Sequence, residues 1–337
     1  MPFTPSDTAH MTQALALAEQ ALFITSPNPR VGCVIVGIEG TVLGQGHTQA
    51  AGQAHAEVMA LRDAQSRGHS TQGATAYVTL EPCSHQGRTG PCSDALIAAG
   101  LARVVASVED PNPLVAGQGL ARLQAAGVQV DVGLLSTQSI ELNIGFFKRM
   151  QHGTPWMRMK SAQSLDGQTA LLNGQSQWIT GEEARVRVHQ LRAESDAILV
   201  GAETVRVDDP ELTVRSVPGQ SPRRIVLSRS GNLPSDAKVH PCVVWDKSIE
   251  TLLDELGADG VIQLMVEGGP SVATEFHALG LINRYVFHIA PTVSGSDTAP
   301  GIFVGDVSTP LVDCHVVSAT ALGADIEIVM DPIREKA

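Results

Sequence analysis

Short runs of β-branched and apolar residues alternate with helical stretches along the chain, and no other feature limits the fold as much. In the first half, VGCVIVGI (31–38) reads as a buried strand, Glu39-Gly40 as a turn, and 41–46 as its hairpin partner. Further strands are expected at 74–80, 104–108 and 128–132. Helices are expected at 11–23, 55–66, 93–99, 119–126 and 137–150. A hairpin followed by βαβ units implies one mixed sheet with helices on both faces. The pattern starts afresh around Gln151-His152-Gly153-Thr154-Pro155, so the expected domains are 1–150 and 151–337. The second also reads as α/β, with a longer sheet. Its strands are expected at 156–161, 197–200, 224–227, 242–245, 261–266, 284–289 and 326–330, with helices at 182–192, 250–256 and 271–279.

A length of 337 residues agrees with two domains of ordinary size, and 43% hydrophobic residues supply their cores. Aromatics are only 4%, so those cores are built from Ala, Val, Leu and Ile. The net charge is −12 and neither half is basic, which argues against non-specific nucleic-acid or anionic-membrane binding. No apolar run approaches the roughly 18–20 residues of a membrane span. The first Lys or Arg is Arg30, so the basic start of a signal peptide is not expected. Five cysteines are an odd, sparse set, better read as reduced thiols or metal ligands than as a disulfide framework. A soluble, cytoplasmic protein is expected.

Three of the metal-binding residue types fall at element ends. His55-Ala56-Glu57 opens an expected helix, and Glu81-Pro82-Cys83 follows a strand and leads to Cys92 at the next helix start. One imidazole and two thiolates make three zinc ligands and leave a tetrahedral position for water, the mark of a catalytic site. Zinc lowers the pKa of that water to about 7. Glu57 is too near His55 in sequence to be an ordinary partner on the same helix face, and is placed to move the water's proton to a leaving group. His-x-Glu followed by Pro-Cys and a second Cys is the signature of nucleobase deaminases, although ten positions span Cys83 to Cys92 here where the usual form has four.

The strings PNPRVGCVIV (27–36), HAEV (55–58), TLEPCSHQGRTGPC (79–92) and DPNP (110–113) resemble the deaminase half of a riboflavin-biosynthesis family. Its members join a diaminohydroxyphosphoribosylaminopyrimidine deaminase to a 5-amino-6-(5-phosphoribosylamino)uracil reductase. The long insertion between the cysteines is a mark of that family; Gly90, where many relatives carry proline, is a departure in the loop only. The resemblance implies a cytidine-deaminase-like fold and substrate contacts from Asn28, His47, His85, Arg88 and Asn112. An amide can read pyrimidine edges and a guanidinium can hold a phosphate. Asn28 and Asn112 also suit plain turns between prolines, His47 a strand end, and Arg88 a solvated loop.

In the second half no G-x-G-x-x-G follows a strand, so the usual dinucleotide fingerprint is absent. The sharpest local signal is VIQLMVEGGPSVATEF (261–276), where a strand ends at Glu267 and Gly268-Gly269-Pro270-Ser271 turns into a helix. Such a turn suits phosphate, and equally suits a simple connection. KSAQSLDG (160–167), SQWITG (176–181), residues 191–215 and VEGGPS (266–271) are similar to the reductase half of the same family. That likeness implies a dihydrofolate-reductase-like fold and NADPH. It carries cofactor contacts to Ala162, Trp178, Thr204, Asp208 and the turn-helix Gly269, Pro270, Ser271, Val272, Ala273, Thr274 and Glu275. It carries substrate contacts to Ser176, Arg192, Leu212, Arg215 and Glu267. Arg192 and Arg215 suit the ribose phosphate. Arg192 also suits a helix C-terminus, and Asp208 a loop cap.

The implied reactions are hydrolytic removal of ammonia from a phosphoribosylaminopyrimidine, then hydride transfer from NADPH to the ribosyl C1′ through a ring-opened imine. Asp208 or water would supply the proton. A cytidine or tRNA-adenosine deaminase fits the zinc residues but leaves the second half unused. A zinc-stabilised scaffold leaves Glu57 without a purpose. Pairing of copies through the second sheet is a further expectation from the resemblance.

Overall fold

The structure is a computed structural model describing residues 3–85, 90–113, 115–170, 179–296, 298–304 and 311–334. It divides into two compact units, Met1–Gly153 and Thr154–Ala337. No described helix is long and apolar enough to cross a membrane.

The first unit runs α1 (Pro5–Glu19), β1 (Gly32–Val36), β2 (Val42–His47), α2 (Ala56–Ser66), β3 (Thr75–Val78), α3 (Cys92–Ala98), β4 (Arg103–Ala106), α4 (Gln118–Ala125), β5 (Gln129–Val132), α5 (Ser136–Leu142) and α6 (Ile144–His152). The sheet order is β2-β1-β3-β4-β5. β1 is antiparallel to both neighbours, while β3, β4 and β5 are parallel. Because strand side chains alternate, Val34, Val36, Tyr77 and Val105 pack under α1, and Cys33, Ile35, Ala76, Val78 and Val104 face a second core with α2, α3, α4 and α6. Helices therefore cover both faces, as expected. Contact between β2 and α2 is direct: a Cβ on Gly44 would lie 2.2 Å from the Ala60 carbonyl oxygen. One on Gly46 would lie 2.5 Å from the Met59 Cβ.

α1 starts six residues before the expected position. Thr4 caps it reciprocally with Asp7, and Pro5 occupies the first turn, where its missing N–H costs nothing. Asp7 is also the buried hub of the sheet edge. Its carboxylate accepts Tyr77 Oη at 2.8 Å and Arg103 Nη1 at 2.7 Å, and Arg103 reaches Asp131 at 2.7 Å. The single helix expected over 137–150 is two helices. Asn143 leaves the helical region because its amide pairs with the Arg30 backbone, accepting from N at 2.8 Å and donating to O at 2.8 Å. A tertiary bond across 113 residues outweighs local helix propensity there. It also ties down the loop that carries Asn28.

The second unit runs β6 (Trp156–Ser164), α7 (Glu182–Ala193), β7 (Ala197–Gly201), α8 (Ala202–Asp208), β8 (Arg223–Leu227), β9 (Val243–Trp245), α9 (Ile249–Ala258), β10 (Gln263–Val266), α10 (Pro270–Ala278), β11 (Arg284–Ala290), β12 (Cys314–Leu322) and β13 (Asp325–Pro332). Its eight strands lie in the order β12-β13-β11-β6-β10-β7-β8-β9. All neighbours from β11 to β9 are parallel, and β13 and β12 add an antiparallel edge. One face packs Leu199, Ile225 and Leu264 against α9 and α10; the other packs Ile198, Val226 and Met265 with Val188 and Leu191 of α7. α8 and β12 were not expected. β12 escapes a hydrophobic reading because it is an edge strand, mostly exposed.

Burial alone would raise the Asp7 carboxyl, but the Thr4 amide, Arg103 and Tyr77 bonds outweigh it and hold it well below the usual carboxylate range. A depressed carboxyl contributes stability above its unfolded pKa that is lost as pH falls through the folded value. Asp7→Asn is expected to cost about 2–4 kcal/mol at pH 7. In chemical unfolding of the first unit, that difference is expected to shrink below about pH 4.

Candidate active sites

Three elements bring the expected zinc residues together. His55 is the N-cap of α2, in extended conformation, so its ring projects from the helix end. Cys83 follows β3, and Cys92 is the first residue of α3. The His55 Nδ1 atom lies 3.4 Å from Cys92 Sγ and 3.7 Å from Cys83 Sγ. All three donor atoms fall within 4.8 Å of one another. Tetrahedral zinc, with bonds of about 2.0–2.3 Å, sets neighbouring N and S donors roughly 3.6 Å apart, so these residues fit the ion. Sulfur chemistry agrees: bonds from the Cys92 thiol, His55 and the Cys92 amide (3.3 Å) hold the Cys83 thiol well below its ordinary pKa. Sharing with Cys83, together with burial, pushes Cys92 the other way.

Glu57, in the first turn of α2, is 3% exposed. Burial first, then the Cys83 charge, pushes its carboxyl up to about 7. Glu57, His55 and Cys83 open on a cavity of about 510 Å³ that Asn28, His85 and Asn112 also line. His47 does not line it; it sits at the end of β2, opposite Gly32 in the β1 register. Arg88 lies outside the described residues. Glu81, a residue to which the sequence attached no role, is buried beside Cys83 and accepts four backbone N–H groups.

The second unit holds a cavity of about 840 Å³. Ala162, Thr204 and Asp208 of the expected cofactor set line it, with Arg192, Leu212, Arg215 and Glu267 of the substrate set. Gly269 is the N-cap of α10 and Pro270 begins it. A Cβ on Gly269 would sit 3.5 Å from Thr204 Oγ1, so this turn lies behind the cavity wall. Val272 and Ala273 point into the core, Thr274 Oγ1 bonds the Pro270 carbonyl at 2.8 Å, and Ser271 and Glu275 are exposed. Ser176 and Trp178 lie outside the described residues.

Arg192 presents its fork to Glu267, with Nε and Nη2 at 3.0 and 3.1 Å from the two carboxylate oxygens. The guanidinium edge expected for phosphate is thus taken by a carboxylate. Arg215 Nη1 bonds Glu211 and Thr213 Oγ1, both at 2.7 Å. Lys160, which the sequence reading passed over, is buried on β6 with Nζ 3.9 Å from Glu267. Burial pushes its ammonium pKa down, Glu267 opposes that, and Arg192 reinforces it. A lysine inside the apolar run WMRMK was the available signal. Asp209 and Leu212 hold the facing loop with φ of +42° and +53°, backbone strain of a kind that clusters at functional sites.

Residues 155–328 match the family described as RibD C-terminal domain, and residues 4–108 match the cytidine and deoxycytidylate deaminase zinc-binding region. The riboflavin biosynthesis protein RibD of Escherichia coli K12 is 44% identical, the alignment covering 88% of this chain and 92% of that protein. The chain belongs to the RibD family. A solved structure of Acinetobacter baumannii RibD superposes with a TM-score of 0.91 at 38% identity, covering 98% of this chain and 99% of that one. A Thermotoga maritima structure titled diaminohydroxyphosphoribosylaminopyrimidine deaminase/5-amino-6-(5-phosphoribosylamino)uracil reductase gives 0.87 at 31% identity, covering 97% and 99%. The two α/β units of the RibD fold thus account for nearly the whole chain.

Metal analysis of purified Cys83→Ala is expected to find almost no zinc, against about one per chain in the parent. Cys242→Ala, in the second unit, should keep it.

Proposed function

We propose that residues 1–150 deaminate 2,5-diamino-6-(5-phosphoribosylamino)pyrimidin-4-one, and that residues 151–337 reduce the ribosyl group of the uracil product to ribityl with NADPH. A bifunctional deaminase and reductase of riboflavin biosynthesis is what RibD membership carries. The observation that supports the deaminase reading most directly is Glu57 opening on the same cavity as His55 and Cys83, with Cys92 behind them. A structural metal site has no use for a buried carboxylate there.

His55, Cys83 and Cys92 would hold zinc, which when bound supplies the Lewis acidity that makes water a nucleophile near neutral pH. Glu57 takes a proton from the attacking water and delivers it to the ring nitrogen, then takes the hydroxyl proton of the tetrahedral carbon and passes it to the amine as the C–N bond breaks. Ammonia leaves and a carbonyl remains. Asn28 and Asn112 orient the ring through their amides, and His85 lies on the same wall. His47 and Arg88 keep the substrate role implied by the family likeness.

In the second unit NADPH, when bound, would supply a hydride for the ribosyl C1′. Ala162, Thr204 and Asp208, which line the cavity, would hold it, and the Gly269–Glu275 turn-helix, packed against Thr204, keeps the cofactor role that the family likeness implies. Trp178 and Ser176 keep the cofactor and substrate roles that the family likeness implies. Glu267 accepts ribosyl hydroxyls while Arg192 holds its carboxylate in place. Arg215, half exposed at the rim, is the better phosphate ligand of the two arginines. Lys160 is better placed than Asp208 to hold a proton, because its buried ammonium sits beside Glu267.

The enzyme's partner is this small molecule rather than nucleic acid, and its five free cysteines suit a reducing cytoplasm. A second copy covers β12, where Val316 and Val317 are 61% and 42% exposed on an unpaired edge. Light scattering should then give twice the chain mass, and Val316→Lys should give single chains.

Glu57→Gln is expected to lower ammonia release by about 10²–10⁴-fold while zinc content and NADPH oxidation on the deaminated substrate persist. Full ammonia release in that variant would overturn the mechanism.

A further inference from the structure

Glu81 lies between the end of β3 and Cys83, is 4% exposed, and faces the segment that follows β4. Its backbone N–H donates to the Val108 carbonyl at 2.9 Å, laying residues 81–83 alongside that segment. The side chain then divides its two oxygens. Oε2 accepts the amide N–H of Asp110 at 3.1 Å and that of Gly117 at 2.9 Å. Oε1 accepts from Gly119 at 2.8 Å and Leu120 at 3.4 Å, in the first turn of α4. One oxygen therefore holds both feet of the 110–117 turn, and the other caps the helix that continues from it.

That turn carries Asp110, Asn112 and Val115 to the wall of the first cavity. Within it, the Asp110 carboxylate accepts the Asn112 N–H at 2.8 Å, and the Asn112 carbonyl accepts from Val115 and Ala116, each at 2.9 Å. Approach of the two segments leaves no slack. A Cβ on Gly119 would lie 1.9 Å from the Pro82 carbonyl oxygen, so only glycine lets α4 sit against the backbone between Glu81 and Cys83. A carboxylate accepting four N–H groups in a buried place is a rigid joint, since each bond lost strands a buried donor.

We infer that Glu81 is a positioning residue for deamination: it fixes the Asn112 turn in register with Cys83, so that substrate is held at the place where the zinc ligands converge. This rests on the deaminase reading of the cavity. The competing account is a helix cap that contributes stability alone.

In Glu81→Gln an NH₂ replaces one oxygen and faces two N–H donors, so two of the four bonds are lost whichever way the amide turns. In the full-length zinc enzyme, KM for the diaminopyrimidinone should rise roughly ten-fold or more while kcat stays within about three-fold. Zinc content and NADPH oxidation on the deaminated substrate should not change. An unchanged KM with a lowered melting temperature would reduce Glu81 to a cap. A fall in kcat alone, or loss of zinc, would place its effect on the metal and equally overturn the inference. Should Glu81→Gln not fold, Gly117→Ala perturbs the same joint from its other side, because Gly117 has φ +76° and open space around its Cβ position. It should raise KM in the same direction, and an unmoved KM would again overturn the inference. Failure of the parent to release ammonia would instead defeat the deaminase reading.

Discussion

The first unit depends on one geometric demand: an imidazole nitrogen and two sulfurs from separate stretches of chain must meet within a few ångströms. Each ligand sits where an element begins or ends, and neighbouring contacts fix each of those ends. α2, with His55 at its tip, is pressed onto β2 through Gly44 and Gly46. α3 aims its first N–H at Cys83 Sγ, and the Ser93 N–H and hydroxyl both bond the Cys83 carbonyl. An electropositive helix start beside a thiol favours the thiolate, the form that ligates metal. The protein thus prepares the ligand charge through its backbone.

In the second unit, pairing of buried charges under α7 takes the corresponding place. An ion pair sets Arg158 2.9 Å from Glu194, Glu194 bonds Arg187 at 3.1 Å, Arg187 bonds Glu327 at 3.0 Å, and Glu327 bonds His288 at 3.0 Å. Burial pushes the His288 imidazole pKa down, against the pull of Glu327. Asp325 adds a bond to the Gly181 N–H at 2.6 Å, at the N-cap of α7. Such chains contribute little net stability when set against apolar packing, but removing one member leaves a charge stranded. What they supply is register: α7 brings Arg185, His189 and Arg192 to the cavity, and it is pinned at both ends to the sheet that carries Lys160 and Ala162.

Hydrophobic periodicity made the buried parallel strands legible, because β3, β4, β7 and β10 must be apolar on both faces. The zinc set was legible because His55, Cys83 and Cys92 are few, chemically distinct and placed at element ends. Features decided by partners far along the chain were hidden. The break at Asn143 follows from Arg30, and β12 from an edge with little to bury. Role differences between arginines were hidden for the same reason. Sequence can say that Arg192 and Arg215 are able to bind phosphate, but not that Glu267 occupies one of them. Glu81 stands beside a recognised ligand, yet its partners lie in the 110–120 segment and leave no trace in its own neighbourhood.

Both cavities arise from the same property of parallel strands. In the first unit, Glu81 and Cys83 follow β3, and Asp110 and Asn112 follow β4, which lies parallel to it. In the second, Lys160 and Ala162 lie in the carboxyl half of β6, Glu267 follows β10, and Thr204 follows β7, three strands that run side by side in parallel. Adjacent parallel strands deliver their carboxyl ends to one edge, and the chain must then leave in different directions, opening a crevice there. Side chains on that edge stand on a rigid sheet, while the connecting loops are free to vary. The two units therefore use one architectural solution with different residues at the strand ends: soft metal donors and carboxylates in the first, and a lysine–carboxylate–arginine cluster in the second.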